Sequence, residues 1–163
     1  MKLCLAEAIK KVKMLNEDVN LLLSDEQNQS SITYRDETEK ITYDYNFDKT
    51  REQIANINSE ILALKRAINK ANNETTIGVD GYTISDGLIK IAMIRKELTY
   101  YLEPMTRKDK LSSRVDMRND GLIYTELLYN PDECKEYVRV QKELLNQIQM
   151  GIDRANLTTF IDV

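Results

Sequence analysis

The sequence holds no histidine and no tryptophan, and only two cysteines, two prolines and five glycines in 163 residues. Without histidine there is no imidazole base, no triad built on one, and no histidine ligand for a metal. Cys4 and Cys134 stand far apart with no CxxC pair, which suits a reducing compartment better than a disulfide framework. So little glycine and proline argues against a turn-dense β-sandwich and for long helices. No apolar run exceeds four residues, as at 91–94, so no bilayer-spanning helix is expected. The start, Met1 to Glu7, lacks the apolar core of a secretory signal. Neither a glycine-rich phosphate loop nor a GxSxG elbow is present, so no catalytic residue, metal or cofactor is assigned. These readings lead to the expectation of a soluble, cytoplasmic, bacterial protein that is not an enzyme.

What remains is 42% hydrophobic and 31% charged, with a net charge of −4 and a pI near 5.1. That is globular composition, and the length suits one domain over 1–163. A general polyanion binder is normally basic, so no nucleic-acid partner is expected.

The chain resembles itself. Residues 5–23 align with 84–102 at an offset of 79: Leu5 meets Ile84, Glu7 meets Asp86, Val12 meets Ile91, and Leu15 meets Ile94. A second block aligns at an offset of 84, where Tyr45-Asn46-x-Asp48 meets Tyr129-Asn130-x-Asp132 and Lys70-Ala71-Asn72 meets Arg154-Ala155-Asn156. A threonine pair follows each asparagine, Thr75-Thr76 and Thr158-Thr159. The reading is a tandem duplication, with units at about 3–76 and 83–160.

Each unit contains two helical patterns. In the second helix Phe47, Thr50, Ile54, Ile57, Ile61, Leu64, Ile68 and Ala71 recur at spacings of three and four, a heptad seam like that of a coiled coil. Matching seams run from Leu5 to Leu22, from Ile84 to Tyr101, and from Cys134 to Ala155. Asn46, Thr83 and Asn130 are predicted N-caps, and Pro104 is predicted to stop the third helix. Between the helices, Ser31–Tyr34 and Lys40–Tyr43 read as one β-hairpin. Ser112–Arg118 and Leu122–Leu128, around Asn119-Asp120-Gly121, read as a second. The expected fold is therefore mainly α: an antiparallel bundle of four long helices, built from two tandem helix–β-hairpin–helix units with pseudo-two-fold symmetry.

Two sets of residues are candidate sites. Asn72, Thr75, Thr76, Asn156, Thr158 and Thr159 would converge at one end of such a bundle and offer polar groups to a small ligand or anion. The same residues serve equally as helix ends. The second set lies in connections of opposite charge. Residues 105–118 carry five basic side chains against two acidic, and residues 24–48 carry seven acidic against two basic. Tyr34, Tyr43, Tyr101, Arg107, Lys108, Arg114 and Tyr124 are the candidate contacts of a homo-oligomer, drawn together by complementary potential. Tyr100 and Tyr101 cannot both face one core stripe.

The start Met1-Lys2-Leu3 with Leu5-Ala6-Glu7-Ala8 is similar to the septicolysin-like family of small bacterial proteins. So are Ile68–Asn72 with Thr83–Asp86, and the ending Ile152-Asp153-Arg154-Ala155-Asn156-Leu157-Thr158-Thr159. The resemblance covers nearly the whole chain. The chain departs from it by extra residues near Cys4 and in the 24–46 connection, and by Leu157 where the family often has tryptophan. The family name implies a membrane-active toxin and supplies no catalytic residues. The residues themselves favour a non-enzymatic, self-associating scaffold or interaction protein, with the toxin and the small-ligand binder as alternatives.

Overall fold

The computed structural model describes residues 2–41, 43–118 and 121–162. In chain order the elements are β1 (Lys2–Cys4), α1 (Leu5–Gln29), a 3-10 turn (Glu37–Glu39), α2 (Phe47–Glu74), α3 (Ile84–Glu97), a π-turn (Leu98–Leu102), α4 (Glu103–Thr106), β2 (Leu111–Asp116), β3 (Gly121–Glu126), α5 (Pro131–Thr158) and β4 (Phe160–Asp162). The chain divides into two compact units. One runs to Thr75 and takes in Ala155 onward, and the other is Thr76–Arg154.

In the first unit α1 packs on α2. The Asn46 side chain accepts the Lys49 N–H at 3.0 Å and starts α2 by satisfying an otherwise free donor. Ile54, Ile61, Leu64, Ile68 and Ala71 are buried, with Thr50 and Ile57 half-buried between them, so the heptad seam is the buried stripe. On α1, Leu5 and Ala8 are buried, but Val12, Leu15, Val19 and Leu22 are only half-buried. Lys11 and Glu60 pair at 2.6 Å across the two helices, worth less than about 1 kcal/mol at this exposure. Glu26 holds the incoming chain: it accepts the Tyr45 hydroxyl at 2.8 Å and pairs with Arg51. The other end of the unit is closed by β1 and β4, paired antiparallel with Lys2 opposite Asp162 and Cys4 opposite Phe160. The Leu5 N–H extends this ladder to the Thr159 carbonyl at 3.0 Å.

In the second unit a tight turn, with positive φ at Gly78, Asp80 and Gly81, leads to the capping box of α3. The Thr83 hydroxyl oxygen accepts the Asp86 N–H at 3.1 Å, while the Asp86 carboxylate accepts the Thr83 N–H at 3.0 Å and its hydroxyl at 2.7 Å. These bonds hold the Asp86 carboxyl below its usual range, the hydroxyl contact contributing most. Ile84, Gly87, Ile91, Ile94 and Leu98 form the buried stripe. α3 and α5 approach closely at Gly87, where a Cβ would stand 3.1 Å from Ile148 Cγ2 and 3.2 Å from Ile152 Cδ1. Asn130 starts α5 by accepting the Asp132 N–H at 3.0 Å.

The architecture corrects the expected one. It is mostly helical, but it is not a bundle of four long helices made of two helix–hairpin–helix units with pseudo-two-fold symmetry. No strand forms at 31–34 or at the described residues of 40–43, Thr42 lying outside them. Here Asp36 makes a local turn instead, accepting the Thr38 N–H at 3.0 Å. Ile41 is exposed and Ile32 is half-buried. The second hairpin is present as β2–β3, with the expected turn residues Asn119 and Asp120 outside the described residues. The other sheet, β1–β4, joins the two ends of the chain and was not expected.

The third helix is short, and Pro104 does not stop it. Proline has no N–H and its ring clashes with the carbonyl four residues back. The chain absorbs this with a π-turn, in which the Glu103 N–H bonds the Leu98 carbonyl. The extra residue in that turn rotates the stripe. Leu102 becomes half-buried, while Tyr101, expected in the seam, is exposed together with Tyr100.

Candidate interaction site

The β2–β3 ribbon follows α4 and precedes α5 in the chain. Its ladder pairs Leu111 with Glu126, Ser113 with Tyr124 and Val115 with Leu122 on one face. Ser112 pairs with Thr125 and Arg114 with Ile123 on the other, since successive residues alternate sides. The first face is apolar, yet Leu111, Val115, Leu122 and Tyr124 keep between 56% and 64% of their surface in water. Every strand residue is exposed except Asp116, which is half-buried. The stem is anchored: the Leu127 N–H donates to the Lys110 carbonyl at 2.9 Å and the Tyr129 hydroxyl to the Met105 carbonyl at 2.9 Å. Leu128, just past β3, is fully exposed.

The approach to the ribbon and its first strand, residues 105–118, carry five cations against Asp109 and Asp116, and β3 adds Glu126. Among the described residues, none of Arg107, Lys108, Lys110, Arg114 and Arg118 forms an ion pair. The carboxyl of Glu103 is held low mainly by Lys142 at 2.7 Å, with a smaller push in the same direction from Arg107. The other charged connection, 24–48, is acidic, and several of its carboxylates are likewise unpaired.

All seven candidate oligomer contacts lie on the surface. Tyr34 and Tyr43 belong to the first unit, and Tyr101, Arg107, Lys108, Arg114 and Tyr124 to the second. The six polar candidates do not form one cluster. Thr75 and Thr159 line a cleft of about 330 Å³ in the first unit, beside Lys70, Glu74 and Asp162. Asn72 is half-buried in the last turn of α2, its Oδ1 buried without a hydrogen bond, and Asn156 is half-buried in the last turn of α5. Neither lines that cleft. Thr158 is exposed, and Thr76 bridges Thr83 in the second unit. The threonine pairs close the helices by one repeated bond: the Thr75 N–H donates to the Ala71 carbonyl and the Thr159 N–H to the Ala155 carbonyl, both at 2.9 Å.

Sequence reasoning missed four exposed apolar residues of the ribbon, Leu111, Val115, Leu122 and Leu128. The available signal was their number in so short a hairpin, too many for one buried face.

No protein-family model matches the chain, and no curated protein matches it. It is similar in fold to the crystal structure of a functionally unknown conserved protein from Corynebacterium diphtheriae. That likeness has a TM-score of 0.69 and 20% identity, and spans 99% of this chain and 100% of that one. At that identity the likeness shows a shared fold. Among the described residues, no helix is long and apolar enough to cross a membrane.

Proposed function

We propose that this is a non-enzymatic protein of the bacterial cytoplasm that self-associates, with the β2–β3 ribbon as its contact arm. The observation that carries the reading is the ribbon's apolar face. A two-stranded ribbon is marginal alone in water, and four apolar side chains on one exposed face mark a surface that gains by being covered. Tyr124 on that face and Arg114 on the opposite one are residue types enriched at protein interfaces. The two free cysteines fit a reducing interior.

Light scattering across a micromolar concentration series tests this. The expected result is an oligomer that dissociates when Leu122 and Tyr124 are both changed to serine, with helical content unchanged. A wild-type protein that stays monomeric overturns the reading. So does leakage of dye-loaded anionic liposomes by the wild-type protein, which would favour the membrane activity that the septicolysin resemblance implies.

The cleft beside Thr75 and Thr159 supports a second reading, a small polar ligand held by Lys70, Glu74 and Asp162. A ligand that prefers the folded state raises its melting temperature. A thermal-shift panel of amino acids, nucleotides and organic acids without any stabilising member overturns that reading.

A further inference from the structure

We infer that the surface receiving the ribbon is the acidic connection of a second copy of this chain, around the cleft between the end of α1 and the start of α2; this rests on the ribbon being the contact arm. The cleft encloses about 210 Å³ and is lined by Asp25, Glu26, Asp44, Tyr45 and Lys49 among others. Glu26 is already engaged by Arg51 and Tyr45. Asp25 and Asp44 in the cleft, and Glu39 and Asp48 close by in sequence, enter no ion pair among the described residues. Residues 105–118 thus carry five cations against Asp109 and Asp116, and residues 24–48 seven carboxylates against Arg35 and Lys40, so the two stretches have net charges of opposite sign. Opposite potentials of this kind set register and speed encounter between partners.

Both surfaces also carry exposed apolar groups. Tyr34, Ile41, Tyr43 and Phe47 are exposed on the acidic side, as Leu111, Val115, Leu122 and Tyr124 are on the ribbon. Every copy has one arm and one receiving surface. In the dimer we infer, each arm lies on the other copy's acidic connection, so the contact is made twice. Reciprocal docking doubles the area covered, which matters because a stable interface needs roughly 800 Å² from each partner.

The test is charge reversal followed by mixing, read by sedimentation velocity in low salt. Lys108→Glu with Arg114→Glu reverses the arm, and Asp25→Lys with Asp44→Lys reverses the receiving surface. Each double variant alone is expected to weaken dimerisation at least tenfold. Mixed in equal amounts they should form a heterodimer, because reversed arm meets reversed surface and native arm meets native surface. That recovery also shows that both variants are folded. Raising salt from 50 to 500 mM should weaken the wild-type dimer, since exposed charges are screened. If the arm variant dissociates while the Asp25/Asp44 variant stays as dimeric as wild type, the receiving surface lies elsewhere and this inference falls, with the arm intact. If both variants dissociate and the mixture stays monomeric, the pairing falls too. If the wild type is monomeric, the arm reading itself fails.

Discussion

Gly151 lies so close to Ile77 that a Cβ on it would stand 2.6 Å from the Ile77 carbonyl oxygen. Backbone cannot rotate out of the way as a side chain can. Gly151→Ala should therefore destabilise the protein even though alanine is the better helix former. Overpacking costs about 1–3 kcal/mol and helix propensity returns up to about 1 kcal/mol, a net loss of up to about 2 kcal/mol that lowers the melting temperature by up to about 8 °C. At Gly87 the nearest atom is the Ile77 Cδ1 methyl at 2.9 Å, the end of a flexible chain. Gly87→Ala should cost less, and thermal melts of the two variants check the order.

Leu62 and Leu64 are near neighbours on α2 with opposite fates. Leu64 is fully buried in the seam and Leu62 is half in water. Leu64→Ala should cost about 2–5 kcal/mol through lost contacts and the cavity left behind. Leu62→Ala should stay within about 0.5 kcal/mol of wild type. Urea titration of both, with unchanged slope, is the measurement.

The third prediction concerns β4. Ile161 is buried opposite Leu3, and the ladder continues to the start of α1. Ile161→Ala should lower stability by about 2–4 kcal/mol. Hydrogen exchange should rise first at Leu3 and Leu5, the amides nearest this ladder, before it rises in the middle of α2.

Acid should weaken the protein partly through α3. The Asp86 carboxyl titrates below its ordinary 3.8 in the folded chain, because of the Thr83 hydroxyl and N–H. A depressed folded value contributes stability above the unfolded value and loses it as pH falls through the folded one. The wild type should therefore lose stability below about pH 4. Asp86→Asn should show a shallower loss between pH 4 and pH 2, while being less stable than wild type at pH 6. Denaturant midpoints at the three pH values decide it. Asp36, Glu103, Asp132 and Glu136 are lowered by their own partners and share in the remaining loss.

Much of the helical part was legible in the residues, because Ile54 to Ala71 repeat with the period of the helix they form. The caps at Asn46, Thr83 and Asn130 were legible for the same local reason, a short polar side chain before an apolar stripe. What failed was non-local. Lys2–Cys4 and Phe160–Asp162 are each three residues long, and nothing within either segment names the other. At Pro104 a local rule pointed to termination, whereas the helix continues past it through a π-turn, and the seam moves from Tyr101 to Leu102. In the 31–43 connection, β-branched and aromatic residues suggested strands, but Asp36 accepts the Thr38 N–H and starts a 3-10 turn at Glu37–Glu39, a local structure that takes the place of the hairpin. The polar candidates show the same limit. Thr75 and Thr159 share a cleft, yet nothing in their spacing could say that Asn72 and Asn156 do not line it.

Because Lys2 faces Asp162 across the β1–β4 ladder, the two strands, far apart in sequence, hold each other in place. A fluorophore on one strand and a contact quencher on the other would touch while the ladder is closed, and recovery of emission would report its opening.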